Sequence, residues 1–292
     1  MSARRAAWSL KIPVVYTRHS VFPQPKKLTT FPGKQINGFI NNLTSTKIIA
    51  VAEAAKKNLT DTGVKAEKIE VILNGVEALK PCDEGDIGRI RTTWHIRPDE
   101  KVAVMASRLS EVKGHKYFIE AAKILKASGV KFKFLIAGTG DMEETLKRQI
   151  REESLEDTVV MMGFVSDVEP LMNLMDVQVN CSFGTEATSL ALLEGMSLGK
   201  PAVVTDFGGN PGVISEGENG FITPTHDAEV LADRLKMLFN NQELYNRMSE
   251  NCKRIYQEKF TAKVNTTEIE RVYKEAVKDK KDEEGRKNED KI

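Results

Sequence analysis

Two carboxylates and two cations carry the chemical potential of this sequence. Glu186 and Glu194 stand eight residues apart in Gly184-Thr-Glu-Ala-Thr-Ser-Leu-Ala-Leu-Leu-Glu-Gly-Met-Ser-Leu-Gly-Lys-Pro201. Thr188 and Ser189 are N-cap types, because their oxygens accept from the free amides of a first helical turn. Gly199 can cap the far end of that helix, and Pro201 blocks its continuation. The helix start leaves unpaired N–H groups and a positive dipole end between the two acids, a combination that suits phosphate. Acids on both sides of a phosphate site make sense for a ligand that also offers hydroxyls. The cations lie upstream in Ala106-Ser-Arg108-Leu-Ser-Glu-Val-Lys113-Gly114. Arg108 presents a planar fork to phosphate oxygens and Lys113 a compact charge. By themselves, the acids also read as an exposed helix start and the cations as a solvated loop.

The elements that must position these groups alternate in type. Apolar runs at Ile12–Tyr16, Lys47–Val51 and Ile69–Leu73 predict three strands with helical stretches between them. Residues 77 to about 100 are polar and rich in turn formers, and read as a linker. Six further strands are predicted at Val102–Met105, Phe132–Ala137, Val159–Met162, Val177–Cys181, Ala202–Thr205 and Gly220–Thr223. The helix predicted at Lys116–Ala127 puts Phe118, Ala122 and Leu125 on one face. Strands alternating with helices imply parallel α/β architecture, and six strands with crossovers imply a doubly wound sheet. Its ligand crevice lies beyond the carboxyl ends of the strands, where the candidate groups fall. Three strands make only part of such a sheet, so the first unit reads as a partial α/β domain.

Composition narrows the function classes. In 292 residues, 43 basic side chains face 42 acidic ones, so no global field recruits nucleic acid. Cys82, Cys181 and Cys252 are far apart, odd in number and in no metal-binding spacing, which implies a reducing compartment and no zinc site. No apolar run is long enough to span a bilayer, and the first twelve residues lack the apolar core of a secretory signal. The expected location is cytoplasmic. A basic patch at Arg4, Arg5, Lys26 and Lys27 suggests peripheral contact with a membrane.

The Glu-x7-Glu spacing with Gly195-Met-Ser-Leu-Gly199-Lys-Pro resembles the signature of retaining group 1 glycosyltransferases of the GT-B fold. Arg108-x4-Lys113-Gly114 is similar to that family's Arg-x4-Lys-Gly, Asn74-Gly75-Val76 to its interdomain hinge, and Thr17-Arg-His19 to its Thr-x-His. The resemblance implies that Arg108 and Lys113 hold the diphosphate of a nucleoside diphosphate sugar and neutralise the leaving group. It implies that Glu186 meets the sugar's hydroxyls and Glu194 the ribose, and that amides at Thr188, Ser189 and Leu190 meet the phosphates. Gly138 and Val165 would line the donor cleft near the base, and His19 would serve as a catalytic residue beside it. No metal or other cofactor is implied. The activity would be transfer of a hexosyl group with retention to a hydroxyl of a glycan, a lipid-linked glycan or a small molecule, in polysaccharide or glycoconjugate synthesis.

Departures from the pattern are Gly212, where the family's Gly-Gly-x-Pro-Glu has Glu, and Ala52, where its Val-Ser-Glu has a hydroxyl. The family's first domain is also fuller, so the resemblance implies either a truncated product or a natural short form that relies on a partner subunit for the missing half. The expected division is a partial first domain over 1–80, a nucleotide-sugar domain over 81–260, a helix over 261–278 returning to the first domain, and a disordered charged tail over 279–292. The rival reading is a module that binds a nucleotide sugar without turning it over. An epimerase would need acid–base residues not visible here, and a phosphorylase a cofactor lysine motif that has no candidate. His95, His115 and His226 have no partner at useful spacing and read as surface or packing residues.

Overall fold

Short apolar runs bounded by turn residues become the strands of two parallel sheets. The computed structural model describes residues 2–289, with side chains through residue 280. The first sheet contains β1 (Val15–Arg18), β2 (Lys47–Ala50) and β3 (Ile69–Val71), paired in that order. The second contains β4 (Lys101–Ala106), β5 (Phe132–Ala137), β6 (Val159–Gly163), β7 (Val177–Asn180), β8 (Ala202–Thr205) and β9 (Gly220–Thr223). Its order is β6-β5-β4-β7-β8-β9, all parallel. Successive strands first add on one side of β4, and then the chain crosses to the other side with β7. That reversal opens a crevice at the carboxyl ends of β4 and β7. The register pairs Val104 with Gln178, so the loops after β4 and β7 leave the sheet side by side.

The second sheet is covered on both faces, as a parallel sheet requires. The helix His115–Ala127 buries Phe118, Ile119, Ala122 and Leu125 against it. Phe118 stacks on Phe134 with ring centroids 4.1 Å apart, and both are fully buried. Burying each such ring contributes about 2 kcal/mol, and this interior holds the crevice rim fixed. Gly199 takes a left-handed φ of +75° just past the helix Leu190–Ser197. The region 77–100 is more ordered than a linker. It contains the helix Glu84–Thr93, started by the Asp83 carboxylate accepting from the Asp86 amide at 2.8 Å. Buried Asn173 then ties that region to the second unit, accepting from the Cys82 amide and donating to the Lys80 carbonyl, each at 2.9 Å.

After the second sheet the chain returns to the first. Thr261 caps the last helix, Ala262–Glu289, by accepting from the Val264 amide at 3.2 Å. That helix lays the fully buried Val272 against Ile49 and Ile72 of the first unit. The two passages between units run together, with Val76 bridged to Thr261 and the Tyr256 hydroxyl donating to the Val76 carbonyl at 2.8 Å.

Three local expectations change. The first strand begins at Val15 rather than Ile12 and continues through Arg18, because its ends follow pairing with Lys47–Ala50 rather than apolar content. The last helix continues to Glu289, where a disordered tail from 279 was expected. Its Lys, Arg and Glu residues are good helix formers, and the helix extends where apolar content runs out despite Gly285 and the Asp and Asn residues among them. Residues 290–292 of that tail lie outside the described residues. Arg4 also does not belong to an exposed basic patch. Its guanidinium lies 4.4 Å over the Tyr16 ring and donates to Asn41 at 2.9 Å and Ser45 at 3.2 Å. No helix among the described residues is long and apolar enough to cross a membrane.

Candidate active site

The crevice holds two adjoining cavities. One, of about 300 Å³, is lined by Ser107, Arg108, Lys113, Asn180, Glu186 and the chain from Thr188 to Ala191, among others. The second, of about 310 Å³, is lined by Ser107, Arg108, Gly138, Phe164 and Val165, among others. The loop after β4 is the wall they share. A larger cavity of about 530 Å³ lies against Trp8, Leu43 and Lys47 in the first unit, away from all of these groups.

The backbone brings the two loops into contact through a glycine. Gly114 has φ +76°, and a Cβ there would sit 2.2 Å from the Cys181 carbonyl oxygen. Only a residue without a side chain lets the end of the β4 loop tuck beneath the end of β7. Lys113 is thereby aimed at Glu186, and its ammonium lies 2.8 Å from Oε2 of that carboxylate and 3.2 Å from the Thr185 carbonyl. The same Oε2 accepts from Ser182 Oγ at 2.9 Å and from Asn180 Nδ2 at 3.0 Å. Glu186 is buried, as are Asn180 and Ser182. A buried carboxylate is tolerated when it is paired and hydrogen-bonded, and here it is both. A second glycine closes the back of the site. A Cβ on Gly209 would meet the Ala187 carbonyl at 1.8 Å and the Ala52 Cβ at 3.3 Å, so the first unit also touches this loop.

The Arg108 side chain is exposed and has no hydrogen-bond or ion-pair partner among the described residues, leaving its fork open at the boundary of the two cavities. Ser107 and His115 lie behind it, with Oγ and Nε2 3.2 Å apart. Burial, reinforced by the charge of Lys113, pushes the His115 imidazole down to about 4, so it is neutral at ordinary pH. The surface-or-packing reading of His115 thus misses a side-chain partner eight residues back. The helix Leu190–Ser197 begins at the first cavity with Ser189 in the N-cap position, but no side chain caps its amides. Thr188 instead donates its hydroxyl to the Val51 carbonyl of the first unit at 2.5 Å. Leu190 is half exposed at the cavity edge. Glu194 lies one turn down that helix, outside the lining of either cavity, and burial raises its carboxyl above the usual range.

The structure therefore brings together Arg108, Lys113, Glu186, Thr188, Ser189 and Leu190 in one cavity, with Gly138 and Val165 in the adjoining one. It does not bring His19 into either. That residue stands exposed just past β1. Asn180 and Ser182 escaped the sequence reading. Their signal was two small polar residues at and just past the carboxyl end of a buried strand. Chemically, the cavity offers two cations and free helix amides to an anion, with a fixed carboxylate beside them. Among the described residues no cluster of His, Cys, Asp or Glu could hold a metal ion.

The segments that carry these groups match known families. A family model described as glycosyl transferases group 1 matches residues 86–255, and a second, glycosyltransferase family 4, matches residues 1–78. EpsD of Bacillus subtilis, named as a glycosyltransferase, is 31% identical over 194 residues, covering 66% of this chain and 51% of EpsD. The amylovoran biosynthesis glycosyltransferase AmsK of Erwinia amylovora is 31% identical over 192 residues, covering 63% of this chain and 45% of AmsK. The chain thus spans about half the length of these curated relatives. Among solved structures, HepE of Anabaena in complex with UDP superposes with a TM-score of 0.84 at 23% identity, over 94% of this chain and 75% of HepE.

Proposed function

The chain belongs to the group 1 glycosyl transferases, with an α/β fold shared with GT-B enzymes, and from that premise we propose that its second unit binds a nucleoside diphosphate sugar. The reaction would pass the hexosyl group to a hydroxyl acceptor with retention, in the assembly of a polysaccharide or glycoconjugate on the cytoplasmic side, without a metal. The observation that carries this reading is the Lys113–Glu186 pair, at 2.8 Å in a cavity shared with unpaired Arg108. Arg108 and Lys113 would take the diphosphate and stabilise its charge as the bond to the sugar breaks. Glu186 would orient the sugar, and the amides from Thr188 to Leu190 would meet phosphate oxygens. Glu194 would bind the ribose, and the cavity of Gly138 and Val165 would take the base. HepE was solved with UDP and with UDP-glucose, which supports a nucleotide-sugar donor for a chain of the same fold.

Calorimetric titration with UDP, GDP and ADP tests the proposal on the intact chain and on Glu194→Ala and Lys113→Ala. One nucleotide should bind, and each substitution should weaken it by about tenfold or more, the worth of a hydrogen bond to a charged group. No binding by any of the three would overturn the donor site. Because the chain spans only part of its relatives, nucleotide-sugar binding without transfer would favour the binding-module reading, in which a partner subunit completes the enzyme.

A further inference from the structure

The two oxygens of Glu186 are unlike. Oε2 receives three donors, from Lys113, Ser182 and Asn180, at 2.8, 2.9 and 3.0 Å. Oε1 has no partner among the described residues, although the side chain lines the cavity. The three donors also differ in how firmly they are held. Lys113 is a flexible ammonium with capacity for a third hydrogen bond, and a diphosphate entering the cavity competes for it. Asn180 and Ser182 are locked in place. Asn180 Oδ1 accepts from the Ser182 amide at 3.1 Å, and the Ser182 carbonyl accepts from Thr205 Oγ1 at 2.6 Å. The Thr205 carbonyl in turn accepts from Asn210 Nδ2 at 3.1 Å. All four of these residues are buried. Asn180 ends β7, Thr205 ends β8 and Asn210 begins the next helix, so Ser182, in the loop that carries Glu186, is tied to regular elements on either side.

We propose that Asn180 and Ser182 are positioning residues that pin the Glu186 carboxylate through Oε2, so that Oε1 alone is presented to the sugar of the bound nucleotide sugar. This rests on the donor-site reading above. The pin persists when Lys113 turns towards the diphosphate, so the sugar-binding oxygen keeps its place as the donor is seated. An ionised carboxylate only accepts hydrogen bonds. The sugar must therefore direct a hydroxyl or amide N–H at Oε1, and a sugar that presents a carboxylate there is rejected by like charge.

The experiment separates nucleotide affinity from the sugar's contribution. Nucleoside diphosphate and its matching nucleotide sugar are titrated into the unaltered chain, S182A, N180A and N180D, with thermal melts as the folding control. S182A should bind the nucleoside diphosphate within about threefold of the unaltered chain, and all three variants should lose at least about tenfold more affinity for the nucleotide sugar than for the nucleoside diphosphate, the worth of a hydrogen bond to a charged group. N180D keeps the size of the side chain and its bond to the Ser182 amide but sets a second carboxylate against Glu186. It should lose most at neutral pH and recover part of the sugar affinity as the pH falls, when a protonated side chain regains a donor. Parallel loss of nucleotide and nucleotide-sugar affinity in all three variants, or nucleotide-sugar affinity unchanged in all, would overturn the assignment. Failure of the unaltered chain to bind any nucleotide would instead overturn the donor site itself.

Discussion

His115 makes the chain's stability depend on pH in a way that one substitution should remove. The imidazole is buried, and burial with the nearby Lys113 charge lowers it to about 4 from the ordinary 6.5. The unfolded chain therefore binds a proton in the window between those values that the folded chain does not. Its contribution is complete above pH 6.5 and is lost as the pH falls towards 4. A tenfold difference in proton affinity between the folded and unfolded chain is worth about 1.4 kcal/mol, so the loss is about 2 kcal/mol at pH 5 and about 3 kcal/mol at pH 4. The comparison with a variant that cannot titrate at position 115 isolates this contribution from every other titrating group. Urea unfolding at pH 7.5 and pH 5 would be compared for the unaltered chain and for His115→Gln, which cannot titrate but keeps a donor for Ser107. With an m-value of about 3 kcal/mol/M, the unaltered chain should lose about 0.7 M more of its midpoint than the variant. Equal losses in the two proteins would show that His115 is not held neutral by its surroundings.

Other substitutions read other parts of the site and its supports. Gly114→Ala forces a left-handed φ of +76° on a residue with a Cβ and drives that atom to 2.2 Å from the Cys181 carbonyl. It should cost about 2 kcal/mol or more and displace Lys113, and a variant that melts like the unaltered chain would contradict the close approach. Thr188→Val removes the hydroxyl given to Val51 and should cost about 1 kcal/mol while leaving nucleotide affinity in place, because the amides of that segment remain. A tenfold fall in affinity would mean that the hydroxyl itself meets the ligand. Val272→Ala removes two methyl groups between Ile49 and Ile72 and should cost about 2 kcal/mol in thermal unfolding. No change would mean that the last helix does not hold the first unit.

What could be read from the chain beforehand follows what is local. The strands of the second sheet are dense apolar runs ended by glycine or polar turns, and Phe132–Ala137, Ala202–Thr205 and Gly220–Thr223 stand where that pattern puts them. Arg108, Lys113 and Glu186 were legible by type and spacing, and the resemblance tied them to one site. The helix Glu84–Thr93 was not, because its face is weakly apolar and its start rests on the single Asp83 cap. Asn180, Ser182 and His115 were not legible as partners. Their partners lie within eight residues, His115 meeting Ser107 across the loop after β4 and Asn180 and Ser182 meeting Glu186 within the stretch after β7, but no regular helix or strand period predicts those contacts. Thr188 was read as a local cap, and a partner from the first unit claimed its hydroxyl instead. Non-local partners overrule local chemistry wherever the sheet brings them closer.

The paired passages at Val76 and Thr261 have a mechanical consequence. A body joined to another at two separated points is rigid, whereas one joined at two points side by side can swing about them. Here both connections sit at one edge, so rotation about that edge disturbs few main-chain bonds. The Thr188–Val51 hydrogen bond is a separate tie between the units and must open or stretch if they rotate. The loop so tied contains Glu186, so a change in the angle between the units would be felt at the carboxylate that would receive the sugar.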